Sequence, residues 1–201
     1  MLKGEIFVIS GPSGVGKSTV VAEVLKKYPD AVLSVSTTTR KIREGEIPGK
    51  NYNYVSREEF LGMIKDDAFM EYAEFCDNLY GTPEKAVFDN LEKGLDVILE
   101  IETEGAMKIK AKYPEANFIF ILPPSREELE RRIIGRGSET EESLRKRLDK
   151  SLSEIRLSPR YDYLTVNNIV EETADNIISI FKAKRLMNER CINEIQILKE
   201  I

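Results

Sequence analysis

GPSGVGKS, residues Gly11 to Ser18, is the stretch that decides the fold of this chain. It fits the pattern G-x-x-x-x-G-K-[ST], follows an apolar strand-like run and opens a helical pattern. In that context the glycines let the loop curl, so that successive backbone N–H groups face phosphate oxygens at a helix N-terminus. Lys17 is expected to reach the β- and γ-phosphates, and the Ser18 hydroxyl to coordinate Mg²⁺. The stretch predicts a nucleoside triphosphate site formed by Gly11, Pro12, Ser13, Gly14, Val15, Gly16, Lys17, Ser18 and Thr19.

The chain around this loop alternates between strand-like and helical patterns. Short, mostly apolar runs are expected to form strands at Glu5–Ser10, Ala31–Ser36, Asp96–Ile101, Asn117–Leu122 and Tyr163–Val166. Near-continuous apolar runs of this kind are typical of parallel strands that helices cover on both faces. The order of elements predicts an α/β domain with a parallel sheet.

Short signals predict where several helices begin and end. Ser56-Arg-Glu-Glu59 and Ser125-Arg-Glu-Glu128 have the form of capping boxes. Thr82-Pro83 is expected to supply an N-cap followed by proline, and Gly94 to end the helix that starts there. A final helix is predicted from about Thr173 to the C-terminus, because apolar residues recur there at helical spacing.

Two segments do not fit the alternation. Residues 37–78 are polar and carry several aromatic side chains, and residues 126–158 are densely charged without a strand-like run. Both are interpreted as insertions on the side of the core where ligands bind.

Two acidic residues lie at the C-terminal end of one of the predicted strands. Because side chains alternate along a strand, Glu100 and Glu102 are expected to share one face near its C-terminal end, where open α/β sheets bind ligands. They are candidate partners for a metal ion. The alternative is a pair of solvated acids where the strand leaves the core.

The composition limits the chemistry of the site. The 201 residues contain no histidine, which excludes a Ser-His-Asp or Cys-His nucleophile and an imidazole metal site. Cys76 and Cys191 have no metal or redox spacing, which favours a reducing cytoplasm. A net charge of −5 argues against a nucleic-acid partner, and no membrane-length apolar run or signal peptide is recognised. The remaining carboxylates, hydroxyls, lysines, arginines and backbone amides suit phosphate chemistry.

Several motifs occur together in one order. GPSGVGKS is followed by SVSTTTR-x-x-R-x-G-E with Tyr52, then by E-Y-A-E-F-x-x-N-x-Y-G-T, and then by G-R-G in an arginine-rich segment. From about Gly4 to Lys184, the chain resembles guanylate kinases. The resemblance implies a three-layer P-loop kinase core with a parallel sheet, within a guanylate kinase-like domain over residues 4–184. It divides the chain into a core (1–36, 89–125 and 159–201), a GMP-binding subdomain (37–88) and a helical lid (126–158).

The resemblance also implies which residues bind GMP. The phosphate is expected to contact Arg40, Arg43, Tyr52 and Tyr80, the guanine is expected to contact Ser36, Glu71 and Thr82, and Glu100 completes the GMP site. The chemistry agrees, because guanine presents two adjacent donors that one carboxylate accepts together. Adenine would leave Glu71 without those partners. Tyr54 is interpreted as packing.

The arginine-rich segment is interpreted as a lid over ATP. By resemblance, Arg132, Arg136 and Arg147 grip the ATP phosphates and stabilise the transferring group, and Gly135 and Gly137 provide a hinge. By the same resemblance Asn167 contacts the adenine, with a simple strand-end turn as the alternative. Glu100 and Glu102 replace the aspartates usual in the family and are expected to hold Mg²⁺ through water.

The sequence therefore predicts a cytoplasmic phosphotransferase that uses ATP, Mg²⁺ and GMP or dGMP, as a monomer or homodimer without nucleic-acid or membrane partners. Lys17, Arg43 and the three lid arginines are the expected catalytic residues. One alternative is a kinase of the same architecture acting on another phosphorylated acceptor, such as a different nucleotide or a ribose bisphosphate. Another is a non-catalytic module that binds phosphopeptides, although such modules typically lose the phosphate loop.

Overall fold

The computed structural model describes residues 3–75, 77–134 and 141–187. Its strands are β1 (Ile6–Ser10), β2 (Ala31–Leu33), β3 (Thr37–Thr38), β4 (Asn53–Tyr54), β5 (Phe69–Phe75), β6 (Asn78–Pro83), β7 (Asp96–Glu100), β8 (Asn117–Leu122) and β9 (Tyr163–Val166). Its helices are α1 (Lys17–Lys27), α2 (Arg57–Lys65), α3 (Glu84–Glu92), α4 (Thr103–Lys112), α5 (Arg126–Ile134), α6 (Glu141–Ile155) and α7 (Val170–Arg185), with a short 3₁₀ helix at Ser158–Arg160.

The predicted parallel sheet is confirmed. Five strands lie in the order β2-β7-β1-β8-β9, and every neighbouring pair is parallel. The side chains of the central strand alternate between two apolar clusters: Phe7 packs on the face covered by α1 and α7, and Val8 packs on the face covered by α3 and α4. Phe7 also stacks on Phe181 of α7, with ring centroids 3.8 Å apart. Burial on both faces explains why these strands read as continuous apolar runs.

A second sheet lies beyond the end of β2. It has four strands in the order β4-β3-β6-β5 and is formed by the first insertion. Phe60 of α2 and Phe69 of β5 stack at 4.5 Å between ring centroids and form a small core with Leu79. Gly81 is required at the centre of this sheet, because a Cβ there would lie 2.8 Å from the ring of Phe69.

The strand prediction at Ala31–Ser36 was too long. Strand β2 ends at Leu33, and the Ser34 N–H donates to the Ile98 carbonyl at 2.9 Å as the chain leaves the parallel sheet. Thr37 then enters the second sheet. The polar run therefore crosses from one sheet to the other.

The predicted helix starts had mixed outcomes. At α2, Ser56 and Glu59 form a complete capping box. At α5, Glu128 N–H donates to Ser125 Oγ at 3.2 Å, but the Glu128 carboxylate accepts from Arg131 and Arg132. The N-cap assigned to Thr82 was wrong, because Thr82 lies in β6 and α3 begins after Pro83.

The predicted helix ends are partly described. Gly94 has φ of +79° directly after the α3 C-cap, which confirms the stop. The final helix starts at Val170, earlier than predicted, and ends at Arg185 with Leu186 as its C-cap, so the prediction that it continues without a break was wrong. Residues 188–201, into which the predicted helix extended, lie outside the described residues. Among the helices that are described, none combines the length and apolar character needed to cross a membrane.

Candidate active site

A cleft of about 700 Å³ lies between the phosphate loop and the second sheet. The ends of β7 and α6 and the start of α4 complete its walls. The cleft brings together predicted residues from distant parts of the sequence, namely Pro12, Ser13, Gly14, Gly16, Lys17, Ser18, Ser36, Arg40, Arg43, Tyr52, Glu71, Tyr80, Glu100 and Glu102.

The phosphate loop has the backbone that its glycines predicted. Gly14 and Gly16 have φ of +86° and +94°, a left-handed conformation that few other residues adopt. Gly16 is the N-cap of α1, and the first turn of that helix contains no acidic residue. The Lys17 ammonium donates to the Gly11 carbonyl at 2.7 Å. Backbone amides, a helix N-terminus and an ammonium group thus meet at one point, which is a favourable environment for phosphate.

Glu100 and Glu102 have different surroundings. Ser18 Oγ donates to Glu100 Oε1 at 2.6 Å, so a hydroxyl and a carboxylate lie together beside the loop. Glu102 is the N-cap residue of α4, and its carboxylate accepts from Lys150 at 2.9 Å. The expectation that both lie on one face of the strand was wrong, because β7 ends at Glu100; Glu100 faces the phosphate loop, and Glu102 faces α6.

Arginine and tyrosine side chains line the opposite end of the cleft. The Arg40 guanidinium lies 5.4 Å from the ring centre of Tyr52 and 5.9 Å from that of Tyr54. The ring centroids of Tyr52 and Tyr80 are 6.0 Å apart. Arg43 is exposed beside them. These residues form a concentrated donor surface suited to a phosphate.

Glu46 holds this donor surface together, a role that the sequence reasoning did not assign. Its carboxylate accepts from both terminal nitrogens of Arg40, at 3.0 and 2.7 Å, and from Tyr54 Oη at 2.8 Å. These bonds, together with one from the Arg43 backbone N–H, hold the pKa of Glu46 at about 2, with the Arg40 bond contributing most. This glutamate is the last residue of the R-x-x-R-x-G-E motif, but the sequence alone indicates no function for it.

Glu71 lies deeper in the cleft than the arginines. It sits on β5 opposite Thr82 of β6, and its Oε1 accepts from Thr82 Oγ1 at 2.9 Å. Burial raises its pKa, while the Thr82 hydrogen bond and the charge of Lys108 act in the opposite direction. Thr82 is 1% exposed and holds Glu71 from behind, outside the cleft lining.

Helix α4 leaves room for this carboxylate through a glycine. A Cβ on Gly105 would lie 3.0 Å from Glu71 Oε2. Gly105 was not predicted from the sequence, because the side chain that requires a glycine there, Glu71, lies on a different element, β5.

Three residues of α6 contact one residue of the phosphate loop. Arg147 donates to Ser13 Oγ at 3.3 Å, Ser151 Oγ donates to the Ser13 carbonyl at 3.4 Å, and Glu154 accepts from the Ser13 N–H at 3.3 Å. The spacing i, i+4, i+7 places all three on one helix face. Burial raises the pKa of Glu154, and Glu102 reinforces the shift. Sequence reasoning selected Arg147 but missed Ser151 and Glu154.

Among the predicted ATP-site residues that the structure describes, those outside the lining of the cleft are Gly11, Val15, Thr19, Arg132, Arg147 and Asn167. Arg132 donates to the carbonyls of Val15 and Asn167, at 3.1 Å each. Asn167 is 2% exposed and donates from Nδ2 to the Val15 carbonyl at 2.7 Å. Both support the phosphate loop from its outer side, so their contact with ATP stays a prediction. Arg136 and the proposed hinge glycines lie outside the described residues.

Known proteins are similar to this chain over most of its length. The family model described as guanylate kinase matches residues 3–184. The guanylate kinase of Clostridium tetani is 49% identical over 200 residues, covering 100% of this chain and 96% of that protein. The guanylate kinase of Clostridioides difficile is 49% identical over 183 residues, covering 91% and 89%. The crystal structure of guanylate kinase from Anaplasma phagocytophilum is 39% identical, has a TM-score of 0.78 and covers 96% of this chain and 93% of that chain.

Proposed function

Because this chain belongs to the guanylate kinase family, it is an enzyme that transfers the γ-phosphoryl group of ATP to GMP, and we propose that it does so in the cleft described above. In this proposal, residues 37–88 form the GMP-binding subdomain, residues 126–158 form the lid, and the core consists of residues 1–36, 89–125 and 159–201. ATP binds at the phosphate loop, and GMP binds between the second sheet and α4.

The observation that carries this proposal is the position of Glu71, a mostly buried carboxylate in the same cleft as the phosphate loop. Guanine offers N1–H and the 2-amino group as adjacent donors, which the carboxylate accepts together. Thr82 occupies one lone pair of Oε1 and so fixes the carboxylate. Ser36 supplies a hydroxyl in the same cleft for the guanine O6. Adenine has an acceptor at N1, so it would leave a desolvated carboxylate facing a lone pair.

The proposed reaction depends on positioning and charge. The attacking group is a phosphate oxygen of GMP, which is already ionised near neutral pH, so no general base is needed. Arg40, Arg43, Tyr52 and Tyr80 would hold that phosphate. Lys17 would stabilise the charge on the transferring group.

The residues present fit a magnesium ion. Mg²⁺ prefers oxygen ligands, and the Ser18 hydroxyl and the Glu100 carboxylate lie 2.6 Å apart beside the phosphate loop. We propose that Ser18 holds the ion directly and that Glu100 holds it through water. Glu102 has a weaker case, because its carboxylate pairs with Lys150. When bound, the ion would neutralise charge on the β- and γ-phosphates.

The contacts of α6 support the proposed lid. Ser151 is fully buried and Glu154 is 5% exposed, so this helix packs closely on the loop that would hold ATP. Arg147 reaches the same loop through Ser13. A lid that touches the ATP site directly can exclude water when both nucleotides are present, which protects the γ-phosphoryl group from hydrolysis. We place the reaction in the cytoplasm, where both nucleotides occur.

A nucleotide panel tests the proposed site. ADP release is measured with ATP and Mg²⁺ and with GMP, dGMP, AMP, UMP or CMP as the acceptor. We expect GMP to give the highest kcat/KM, and faster turnover of AMP would overturn the assignment of the guanine site. Lys17→Ala should abolish turnover while leaving GMP binding unchanged. Lys26→Ala on the same helix is the control, because Lys26 pairs with Glu23 at the surface.

A further inference from the structure

Glu46 lies outside the predicted site, yet its carboxylate accepts four hydrogen bonds, as many as a carboxylate has lone-pair positions. Oε1 accepts from Arg40 Nη2, and Oε2 accepts from Arg40 Nη1, from the Arg43 backbone N–H and from Tyr54 Oη, all at 2.7–3.0 Å. The side chains of Arg40 and Glu46 are 12% and 19% exposed, and both residues line the cleft. A low pKa accompanies this geometry, so Glu46 is ionised throughout the neutral range.

The way in which Glu46 binds Arg40 leaves one edge of the guanidinium available. A guanidinium has five N–H groups in a rigid plane. Glu46 takes one from each terminal nitrogen, and the carbonyl of Lys41 takes the other on Nη1 at 2.8 Å. The groups left by these contacts are Nε–H and the second N–H of Nη2. These two are parallel and adjacent, which is the arrangement that binds two oxygens of one phosphate.

The aromatic neighbours restrict the plane of the same group. Tyr52 and Tyr54 lie within 6 Å of the Arg40 guanidinium carbon. Tyr54 is itself fixed by its hydrogen bond to Glu46. The carboxylate therefore determines the position of Arg40 directly and restricts it again through the ring of Tyr54.

Electrostatic attraction does not explain a carboxylate at this position. A phosphate approaching Arg40 also approaches Glu46, so the pair has no net charge to offer. If electrostatic attraction alone mattered, a variant with a neutral residue at position 46 would bind a phosphate dianion more tightly than the native protein does. If Glu46 instead orients Arg40, the same neutral variant should bind phosphate more weakly. Without Glu46 the Arg40 guanidinium is free to move, and ordering it again when the ligand binds costs free energy.

We propose that Glu46 is a positioning residue for the acceptor phosphate: it grips Arg40 by the Nη1–Nη2 edge so that the Nε–Nη2 edge is presented to GMP. This inference rests on the proposed function of the cleft. Glu46 does not touch the nucleotide and acts through Arg40.

The test is Glu46→Gln, measured by isothermal titration with GMP and with guanosine. We expect GMP affinity to fall by about tenfold to a hundredfold, because one acceptor of Arg40 becomes a donor. Guanosine affinity should stay within about twofold, since guanosine has no phosphate, and this readout separates positioning from general damage to the cleft. In steady-state assays the KM for GMP should rise while the KM for ATP stays unchanged. Glu44→Gln is the matched control, because it removes the same charge from an exposed neighbour in the same loop.

Three results would overturn the inference: tighter GMP binding by Glu46→Gln, an unchanged GMP affinity, or an equal loss for guanosine and GMP. A double-mutant cycle adds an independent criterion. In an Arg40→Ala background, Glu46→Gln should no longer weaken GMP binding, and a persisting loss would contradict action through Arg40. If Glu46→Gln is unfolded by circular dichroism, Glu46→Asp is measured with the same expected sign. Failure of the wild-type protein to bind GMP would refute the proposed site instead.

Discussion

Substituting Glu71 with glutamine is the most direct perturbation of the proposed guanine site. Glu71→Gln keeps the volume of the side chain and an oxygen that can accept from Thr82, which now donates to Glu71 at 2.9 Å. The second oxygen becomes an NH₂ group, so one guanine donor then faces another donor. The substitution therefore removes one charge-assisted hydrogen bond and leaves two buried donors opposed.

The expected magnitude follows from these two losses. A hydrogen bond to a charged group contributes about 1.5–3 kcal/mol, and an unsatisfied buried donor costs about 1–3 kcal/mol. Because the NH₂ group can turn partly toward solvent in an open cleft, we expect a combined loss of about 2–4 kcal/mol. This corresponds to GMP affinity lower by roughly 30-fold to 1,000-fold.

Isothermal titration with GMP measures the loss of affinity. Thermal unfolding of the ligand-free protein is a second test, because there the same substitution should leave stability unchanged or increase it. Burial raises the pKa of the Glu71 carboxyl in the folded protein above its value in the unfolded chain. Above the folded-state pKa, the ionised carboxylate therefore lowers the stability of the folded protein. This destabilisation disappears as the pH falls and the carboxyl is protonated. The ligand-free glutamine variant should therefore unfold at an equal or higher temperature at pH 8. Glu104→Gln is the control, because its carboxylate is 79% exposed in the same cleft. Unchanged GMP binding by Glu71→Gln, or an equal loss with Glu104→Gln, would refute the guanine assignment.

Two other substitutions test the support of the site and of the fold. Gly105→Ala should raise the KM for GMP several-fold in a steady-state assay, because its Cβ would lie 3.0 Å from Glu71 Oε2. Gly62→Ala is the control and should leave the KM unchanged, because a Cβ at this position on α2 meets no atom within 4 Å. An unaltered KM for both variants would contradict the close packing of α4 on Glu71. Asp96→Asn should lower the free energy of unfolding in urea by about 3–5 kcal/mol, because Asp96 is fully buried and accepts from Arg185 at 2.9 Å. The exposed Asp89→Asn should cost less than about 1 kcal/mol, and equal losses for the two would contradict the importance of burial.

The parallel sheet was predictable because its strands are buried on both faces. Continuous apolar runs such as Asn117–Leu122 carry that information locally, and the structure reproduces this strand with the same bounds. The glycines of the phosphate loop carry equally local information, since Gly14 and Gly16 both adopt a positive φ that other residues disfavour.

Other features depend on contacts between distant residues. The Thr82-Pro83 signal predicted an N-cap from neighbours in sequence, but pairing of β6 with β5 directs the Thr82 hydroxyl toward Glu71. Glu154 and Ser13 are far apart in sequence, and no local pattern relates them. Hydrogen bonds between residues so far apart in sequence can be identified only from the folded structure.

The unequal sizes of the apolar cores have a consequence for cooperativity. Within the described residues, the second sheet has its own core of Phe60, Phe69 and Leu79, and Met70 is the β5 side chain that joins the large cluster of the parallel sheet. We therefore expect the second sheet to open by local unfolding at a lower free energy than the parallel sheet. In the proposed site, GMP bound between the second sheet and α4 would spend part of its binding free energy on keeping the second sheet closed, and Met70 is one of the side chains through which the two sheets would be coupled.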